Sequence, residues 1–311
     1  MLEVFFIGTG GIMPTKERNV SSLALKYNGE VILFDCGEGT QRQMQHTNVS
    51  PMDIEKIFIT HFHGDHYIGV LPLIQTMSLL DREKPLHIYG PRMTKKFIKN
   101  LLTSGFLGLE FSVKVHELNE ETLDMEGYSI SSFKTDHLIP SLGYVFQEDE
   151  RRGRFDLDKA EELGLEPGPK FKKLEKGESV YVEGSKIDPE DVIKRSRKGR
   201  KITYSGDTKP LSKTVVNSKN SDLLVHECTF LDEDERKDSY HTVLREVIDI
   251  AERANVKKLA LVHRSPRYKH HEFLDGISGR IGTEIEDNTM EYEGIEILVP
   301  KDLDSVQIKF K

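Results

Sequence analysis

Thr60-His61-Phe62-His63-Gly64-Asp65-His66 sets three imidazoles and one carboxylate within six residues, directly after the strand-like run Ile57–Ile59. His61 and His63, two apart on an extended chain end, can point the same way. Gly64 can then take a turn that brings Asp65 and His66 round to a second point in space. Imidazole nitrogens and carboxylate oxygens suit borderline divalent metals, zinc foremost. Four such groups cannot complete two metal sites, but others follow further strand-like runs. His137 comes after Tyr128–Lys134, Asp207 after Ile202-Thr203-Tyr204-Ser205-Gly206, and His263 after Leu259-Ala260-Leu261-Val262. The carboxyl ends of strands are where open α/β sheets collect ligands. A lone His or Asp there is a cap or turn residue at least as often. Five His and two Asp together fit a two-metal centre in which one Asp bridges both ions, a device that activates water and holds phosphate oxygens.

These groups need a scaffold, and the 311 residues supply one. A chain of this size buries enough surface to fold without a disulfide or a structural metal. Leu2–Ile7, Leu23–Tyr27, Val31–Phe34, Lys56–Thr60 and Leu86–Tyr89 read as strands, being branched or aromatic and bounded by Gly, Asn or Pro. Thr40–His46, Ile68–Leu80 and Met93–Leu102 carry a helical pattern. Later, Lys201–Ser205, Leu223–His226, a helix near Thr242–Ala254 and Lys257–Val262 resume the rhythm, and Gly294–Pro300 and Ser305–Phe310 predict two last strands. The stretch 150–198 breaks it. Glu150–Arg200 holds 14 basic and 12 acidic residues, few aliphatics, and Gly164, Pro167, Gly168 and Pro169 close together, so it is expected to add little core. The reading is one α/β domain interrupted by a polar insertion near residues 150–198. No apolar run approaches the ~20 residues of a membrane helix, and no signal peptide is expected. Cys36 and Cys228 cannot make a disulfide framework, which predicts a reducing, cytoplasmic setting.

With the flanking residues included, the sequence resembles a known family. His61-x-His63-x-Asp65-His66 with His137, Asp207 and His263 is the metallo-β-lactamase-fold pattern. Pro14-Thr15-Lys16-Glu17-Arg18-Asn19, the run from Phe34 to Gln43, Ser205-Gly206-Asp207-Thr208, His226-Glu227-Cys228-Thr229, His241-Thr242 and His263-Arg264-Ser265-Pro266-Arg267-Tyr268 look more specifically like ribonuclease Z. That family removes 3′ trailers from tRNA precursors. The resemblance implies a four-layer αββα sandwich with an inserted flexible arm at 150–198. It implies two zinc ions per chain, one held by His61, His63 and His137, the other by Asp65, His66 and His263, with Asp207 bridging. It also implies that Asp65 acts as the base and that His241, oriented by Glu227, delivers a proton to the leaving 3′ oxygen. The family's His-Glu-Ala-Thr reads His-Glu-Cys-Thr here, and Cys228 is small enough to fill the alanine position. A homodimer is a further implication, although Leu71, Leu73, Met77 and Leu80 could equally be core.

The RNA-facing residues follow from charge. Lys16, Arg18 and Asn19 lie on a loop after the first strand, where they could meet the RNA backbone beside the metals. Gly168, Pro169, Lys170, Lys172, Lys173 and Lys176 resemble the Gly-Pro-containing arm that grips precursor tRNA. The run Lys194-Arg195-Ser196-Arg197-Lys198-Gly199-Arg200-Lys201 adds local positive charge to a chain of net charge −8. Two other readings compete. One is another hydrolase on the same metal scaffold, such as a small phosphodiesterase, arylsulfatase, lactamase or thioester hydrolase. The other is an RNA-binding protein with structural zinc. The basic insertion argues against the first, since a small substrate gives no reason for it. The His/Asp donor set argues against the second, because structural zinc sites are closed and usually rich in Cys.

Overall fold

A strand whose two faces are both apolar must be covered on both, and β1 (Leu2–Gly8) is of this kind. Leu2, Val4 and Phe6 pack into one cluster while Phe5 and Ile7 pack into another. The same division runs through β2 (Ser22–Tyr27), β3 (Glu30–Phe34), β4 (Ile54–Phe58) and β5 (Leu86–Gly90), after which comes β6 (Val113–Glu117). Next follow β7 (Thr122–Met125), β8 (Tyr128–Lys134) and β9 (Leu142–Glu148), then a hairpin of β10 (Val180–Val182) and β11 (Ser185–Ile187). The chain continues with β12 (Lys201–Tyr204), β13 (Leu223–Glu227), β14 (Lys258–Val262), β15 (Thr289–Tyr292), β16 (Ile295–Leu298) and β17 (Ser305–Gln307). This computed structural model describes residues 1–105, 108–151, 153–194, 196–283 and 286–310.

The strands divide into two large mixed sheets, ordered β17-β1-β2-β3-β4-β5-β6 and β15-β16-β14-β13-β12-β9-β8-β7. Between the sheets lies an aromatic cluster in which Phe34, Phe58, Tyr144 and Tyr204 meet with ring centroids 5.2–5.9 Å apart. Thr40–Met44, Val70–Leu79 and Thr94–Leu102 are helices that cover the outer face of the first sheet with Met44, Leu73, Met77 and Ile98. The helices Leu244–Ala254 and His270–Ile281 cover the second with Val247, Ala251, Phe273 and Ile277. The result is the four-layer αββα sandwich of the metallo-β-lactamase fold. Leu73 and Met77 are core, while Leu79 (84% exposed) and Leu80 remain at the surface.

The chain separates into two compact units, Met1–Gln147 with Lys201–Lys311, and Glu148–Arg200. The second unit departs from the expectation of a core-poor stretch. Helices Leu157–Glu162, Pro169–Glu175 and Pro189–Val192 and the β10–β11 hairpin enclose Ala160, Leu165, Leu174, Val180, Val182, Ile187 and Val192. Phe155 stacks on Phe171 at the edge of this cluster, with centroids 4.3 Å apart. Apolar residues spaced singly among charges conceal a small core, because each contributes one side chain from a different short element. Gly168-Pro169 is here a helix start, with Pro169 in the first turn, where a missing N–H costs nothing. Within this unit Glu148 and Arg200 form a buried bidentate ion pair, with Arg200 Nε and Nη2 donating at 2.8 Å each. Arg195 of the basic run lies outside the described residues.

Candidate metal centre

Strand ends deliver the site. Thr60 and His61 follow β4, Asp35 follows β3, His137 lies beyond β8, Asp207 beyond β12, Glu227 ends β13, and His263 follows β14. Asp35 and His263 leave their strands with φ of 55° and 54°, and Gly206 turns at 60° just before Asp207. Such left-handed steps are rare for residues with a side chain, and here each one swings a ligand or its partner away from the strand direction. Gly64 does not act as the expected glycine turn. It opens a single helical turn, Gly64–Tyr67, capped by His63, and that turn carries Asp65 and His66 round.

The imidazoles are held so that their bare nitrogens converge. His66 Nδ1 faces Asp35 Oδ2 at 2.8 Å, an acid that also accepts from the Thr60 N–H (2.7 Å), the Thr60 hydroxyl (2.9 Å) and the Tyr204 hydroxyl (2.9 Å). His66 therefore donates through Nδ1, and as a metal ligand it would present Nε2 without a proton. Thr60 Oγ1, its own proton given to Asp35, accepts from His61 Nδ1 at 3.0 Å. Thr229 Oγ1 donates to Glu227 Oε2 (2.7 Å) and so accepts from His263 Nδ1 at 3.0 Å. His137 Nδ1 donates to the Tyr240 carbonyl at 3.2 Å. This network assigns the same tautomer four times, with Nδ1–H outward and Nε2 bare and inward.

Two donor sets result. His63 Nδ1 lies 3.0 Å from His61 Nε2 and 3.1 Å from His137 Nε2. Asp65 Oδ2 lies 3.6 Å from His66 Nε2 and 3.4 Å from His263 Nε2. Asp207 Oδ2 stands between the sets, 3.8 Å from His61 Nε2, 3.5 Å from His66 Nε2 and 3.3 Å from His263 Nε2. Ligands ~2.0–2.1 Å from a zinc ion sit about 3.3 Å from one another in a tetrahedron. Bare nitrogens at these separations repel unless a cation lies among them. Buried His66 Nε2 and Asp207 Oδ1 have no hydrogen-bond partner, which is the condition of atoms reserved for a metal. The field agrees. Burial opposes a charge on His66, but Asp207, Asp35 and Asp65 raise its pKa well above the usual histidine value, so without a cation the pocket draws a proton to the place a metal ion would take. Burial and the neighbouring imidazole of His66 hold His61 neutral, well below that value, as a metal ligand requires. The residues fit a divalent metal centre.

His241 stands at the edge of this cluster, with Nδ1 3.0 Å from Glu227 Oε1 and 3.9 Å from Asp207 Oδ2. Its Nδ1 is committed to Glu227, so it is a partner of that acid. Burial acts against its protonation, yet Glu227 and Asp207 lift its pKa to about 9. Both oxygens of Glu227 are engaged, also accepting from the N–H groups of Thr208 (3.1 Å) and Thr229 (3.2 Å). The sequence reading assigned no role to Asp35, Thr60, Tyr204 or Thr229. The one available signal was an acid placed directly after β3, in Phe34-Asp35-Cys36.

The expected RNA contacts divide. Lys16 is exposed, and the Asn19 amide is tied to the Glu38 carbonyl at 2.7 Å. Arg18 is only 4% exposed, and its Nη2 donates to the carbonyls of Ser265 (3.0 Å) and Tyr268 (2.7 Å). It braces the segment after His263 instead of facing solvent, because a guanidinium in a tight loop finds carbonyls before it finds water. Gly168, Pro169, Lys170, Lys172, Lys173 and Lys176 are all exposed, and Lys170 donates to the Tyr181 carbonyl. Cys36 and Cys228 are buried free thiols. No helix among the described residues is long and apolar enough to cross a membrane.

Comparison with known proteins gives the site its context. A family described as the anti-Pycsar protein Apyc1 matches residues 2–159, and one described as the beta-lactamase superfamily domain matches residues 192–264. The ribonuclease Z of Thermococcus sibiricus is 51% identical over 99% of this chain and 97% of its own length. That of Thermococcus kodakarensis is 51% identical over 99% of this chain and 96% of its own. Among solved structures, the short form of human tRNase Z superposes with a TM-score of 0.69 and 26% identity, covering 99% of this chain and 100% of that one.

Proposed function

Because the chain belongs to the ribonuclease Z family, we propose that it is the endoribonuclease that removes the 3′ trailer from precursor tRNA, working with two zinc ions per chain. Family membership names the substrate. The observation that carries the chemistry is the hydrogen-bonded His241–Glu227 pair beside two donor sets that share Asp207. In this reading His61, His63 and His137 would hold one ion and Asp65, His66 and His263 the other, with Asp207 shared. When bound, the ions supply a water acidic enough to attack near neutral pH and positive charge for the phosphate oxygens. Asp65 takes the proton of that water as its oxygen bonds to phosphorus. His241, kept protonated by Glu227, gives its proton to the 3′ oxygen as the P–O3′ bond breaks. The products are a tRNA with a 3′-hydroxyl and a trailer with a 5′-phosphate.

The unit Glu148–Arg200 then serves as the tRNA-binding arm, with Lys170, Lys172 and Lys173 meeting phosphates and Gly168-Pro169 setting the helix that carries them. Lys16 and Asn19 would meet the RNA backbone beside the metals. Exposed Ile68, Leu79 and Leu80 support a homodimer, and free thiols suit the cytoplasm. Incubating the purified protein with a 3′-extended precursor tRNA, and mapping the cut with and without chelator, tests the reading. A single chelator-sensitive cut next to the discriminator base is expected. Hydrolysis of small phosphodiesters with the precursor left intact would instead establish a general hydrolase on this fold.

A further inference from the structure

The loop between β1 and β2 contains a backbone conformation that its sequence does not favour. Ile12 has φ of 72°, and the Met13 N–H donates to the Gly11 carbonyl at 2.9 Å. This is a γ-turn of the rare positive-φ form, strained for any residue and most of all for a β-branched one. Nothing apolar is gained by it, since the Ile12 side chain is 58% exposed. What the turn does accomplish is to aim the Ile12 N–H at Asp65 Oδ2, 2.7 Å away.

The rest of the loop is built to hold that turn. Asp302, in the chain after β16, accepts from the N–H (2.9 Å) and hydroxyl (2.8 Å) of Thr9 at the start of the loop and from the Asn19 N–H (2.5 Å) at its end. The Gly11 N–H donates to the Arg264 carbonyl at 3.1 Å. A side chain at Gly11 would come within 2.5 Å of the His263 ring, so the loop lies directly against a ligand. Strain maintained by so many ties at a reactive centre points to use.

We propose that the Ile12 backbone amide is a positioning group for Asp65, fixing its carboxylate through Oδ2 so that Oδ1 is turned to accept the proton of the attacking water, and that Asp302 holds the loop in the required shape. The inference rests on the role given to Asp65 above. Asp65 Oδ2 is also the oxygen nearest His66 and His263, so a single hydrogen bond to it locks the rotation of the carboxylate plane.

The test replaces the Ile12 amide with an ester, introduced as the α-hydroxy analogue of isoleucine, which deletes this N–H and keeps the side chain. The expected result is a fall in kcat on precursor tRNA of roughly tenfold or more, as for loss of a hydrogen bond to a charged group. KM, bound zinc and melting temperature should hold. Ile12→Asn keeps the N–H on a residue that tolerates positive φ and should retain kcat. If the ester protein does not fold, Asp302→Asn takes its place, with the same fall in kcat at full zinc content. A kcat within about twofold of the unmodified enzyme, or a loss that only follows lost zinc, overturns the inference. Asp65→Asn separates the two levels. If it is inactive while the ester is unimpaired, only the positioning role is lost; if it is active, the role of Asp65 falls and this inference falls with it.

Discussion

Asp207 is the residue on which the two donor sets depend together. Its Oδ2 lies within 3.8 Å of ligand nitrogens from both, whereas His137 touches only one. Asp207→Ala should therefore empty both metal positions, and His137→Ala should weaken mainly one, as measured by zinc bound per chain after reconstitution. His241→Ala should lower kcat by roughly 10²–10⁴-fold, the usual contribution of a general acid, with zinc content unchanged; a loss that tracked zinc would make His241 a ligand. The candidate ligands were legible in the sequence as a set, because a metal needs specific atoms, and their residue types recur after apolar runs. Asp35 was not legible in the same way. It touches no other candidate ligand than His66, and its importance comes from the four donors that converge on it in space from β12, the segment after β4 and the helical turn Gly64–Tyr67. Asp35→Asn would turn an amide NH₂ toward some of those donors. It should cost about 10–100-fold in metal affinity, the usual effect of removing a partner behind a ligand. Unchanged zinc affinity in a folded variant would refute that ranking of Asp35.

At the scale of elements, strands buried on both faces were readable as apolar runs, and β1 to β5 fall within two residues of their predicted ends. β6, with Val-Lys-Val-His-Glu, and β7, with Thr-Leu-Asp-Met, were not singled out, since strands at or near a sheet edge bury less and alternate with polar residues. The helix His270–Ile281 was hidden by its two histidines and two glycines, residues that weaken a helical pattern which packing of Phe273 and Ile277 then restores. What no strand pattern reveals is how each strand ends, and the site depends on that. Gly206 combines φ of 60° with a position where a Cβ would lie 2.8 Å from Thr60 Cβ and Cγ2. A left-handed backbone costs a residue with a side chain roughly 1–2 kcal/mol, and the contact with Thr60 adds to this. Gly206→Ala should lower the melting temperature and weaken zinc binding together, because Asp207 and the Thr60–His61 pair are displaced by the same methyl group. Thermal unfolding measured with and without zinc checks this: the variant should lose most of the stabilisation that zinc confers.

For the molecule as a whole, the question is what makes a phosphodiester-cleaving centre select tRNA. Among the described residues the unit Glu148–Arg200 contributes no candidate ligand, and it keeps its own core, so its removal at its base is expected to leave the main sandwich folded. Cutting inside it, for example by removing Gly153–Glu190, would leave Val192 and Ile193 without the core they pack in and invite misfolding. Replacing residues 149–199 with a short Gly-Ser linker preserves the Glu148–Arg200 ion pair and removes the small core intact. That protein should bind zinc and hydrolyse a small activated phosphodiester at close to the rate of the full chain. Its affinity for precursor tRNA should drop, and the dependence of log affinity on log salt should flatten, since binding with fewer phosphate contacts releases fewer counterions. Lys172, Lys173 and Lys176 are exposed and can be replaced by Ala together without disturbing the unit, unlike Lys170, which supports the Tyr181 carbonyl. This triple variant should show part of the same loss of affinity and flattening of slope, with kcat on bound precursor preserved. Recognition would then be separable from chemistry, one unit supplying charge and reach and the other supplying the reaction. Equal affinity and equal salt slope for the full and shortened chains would place recognition on the main sandwich instead, with the loop of Lys16 and Asn19 as the part to examine next.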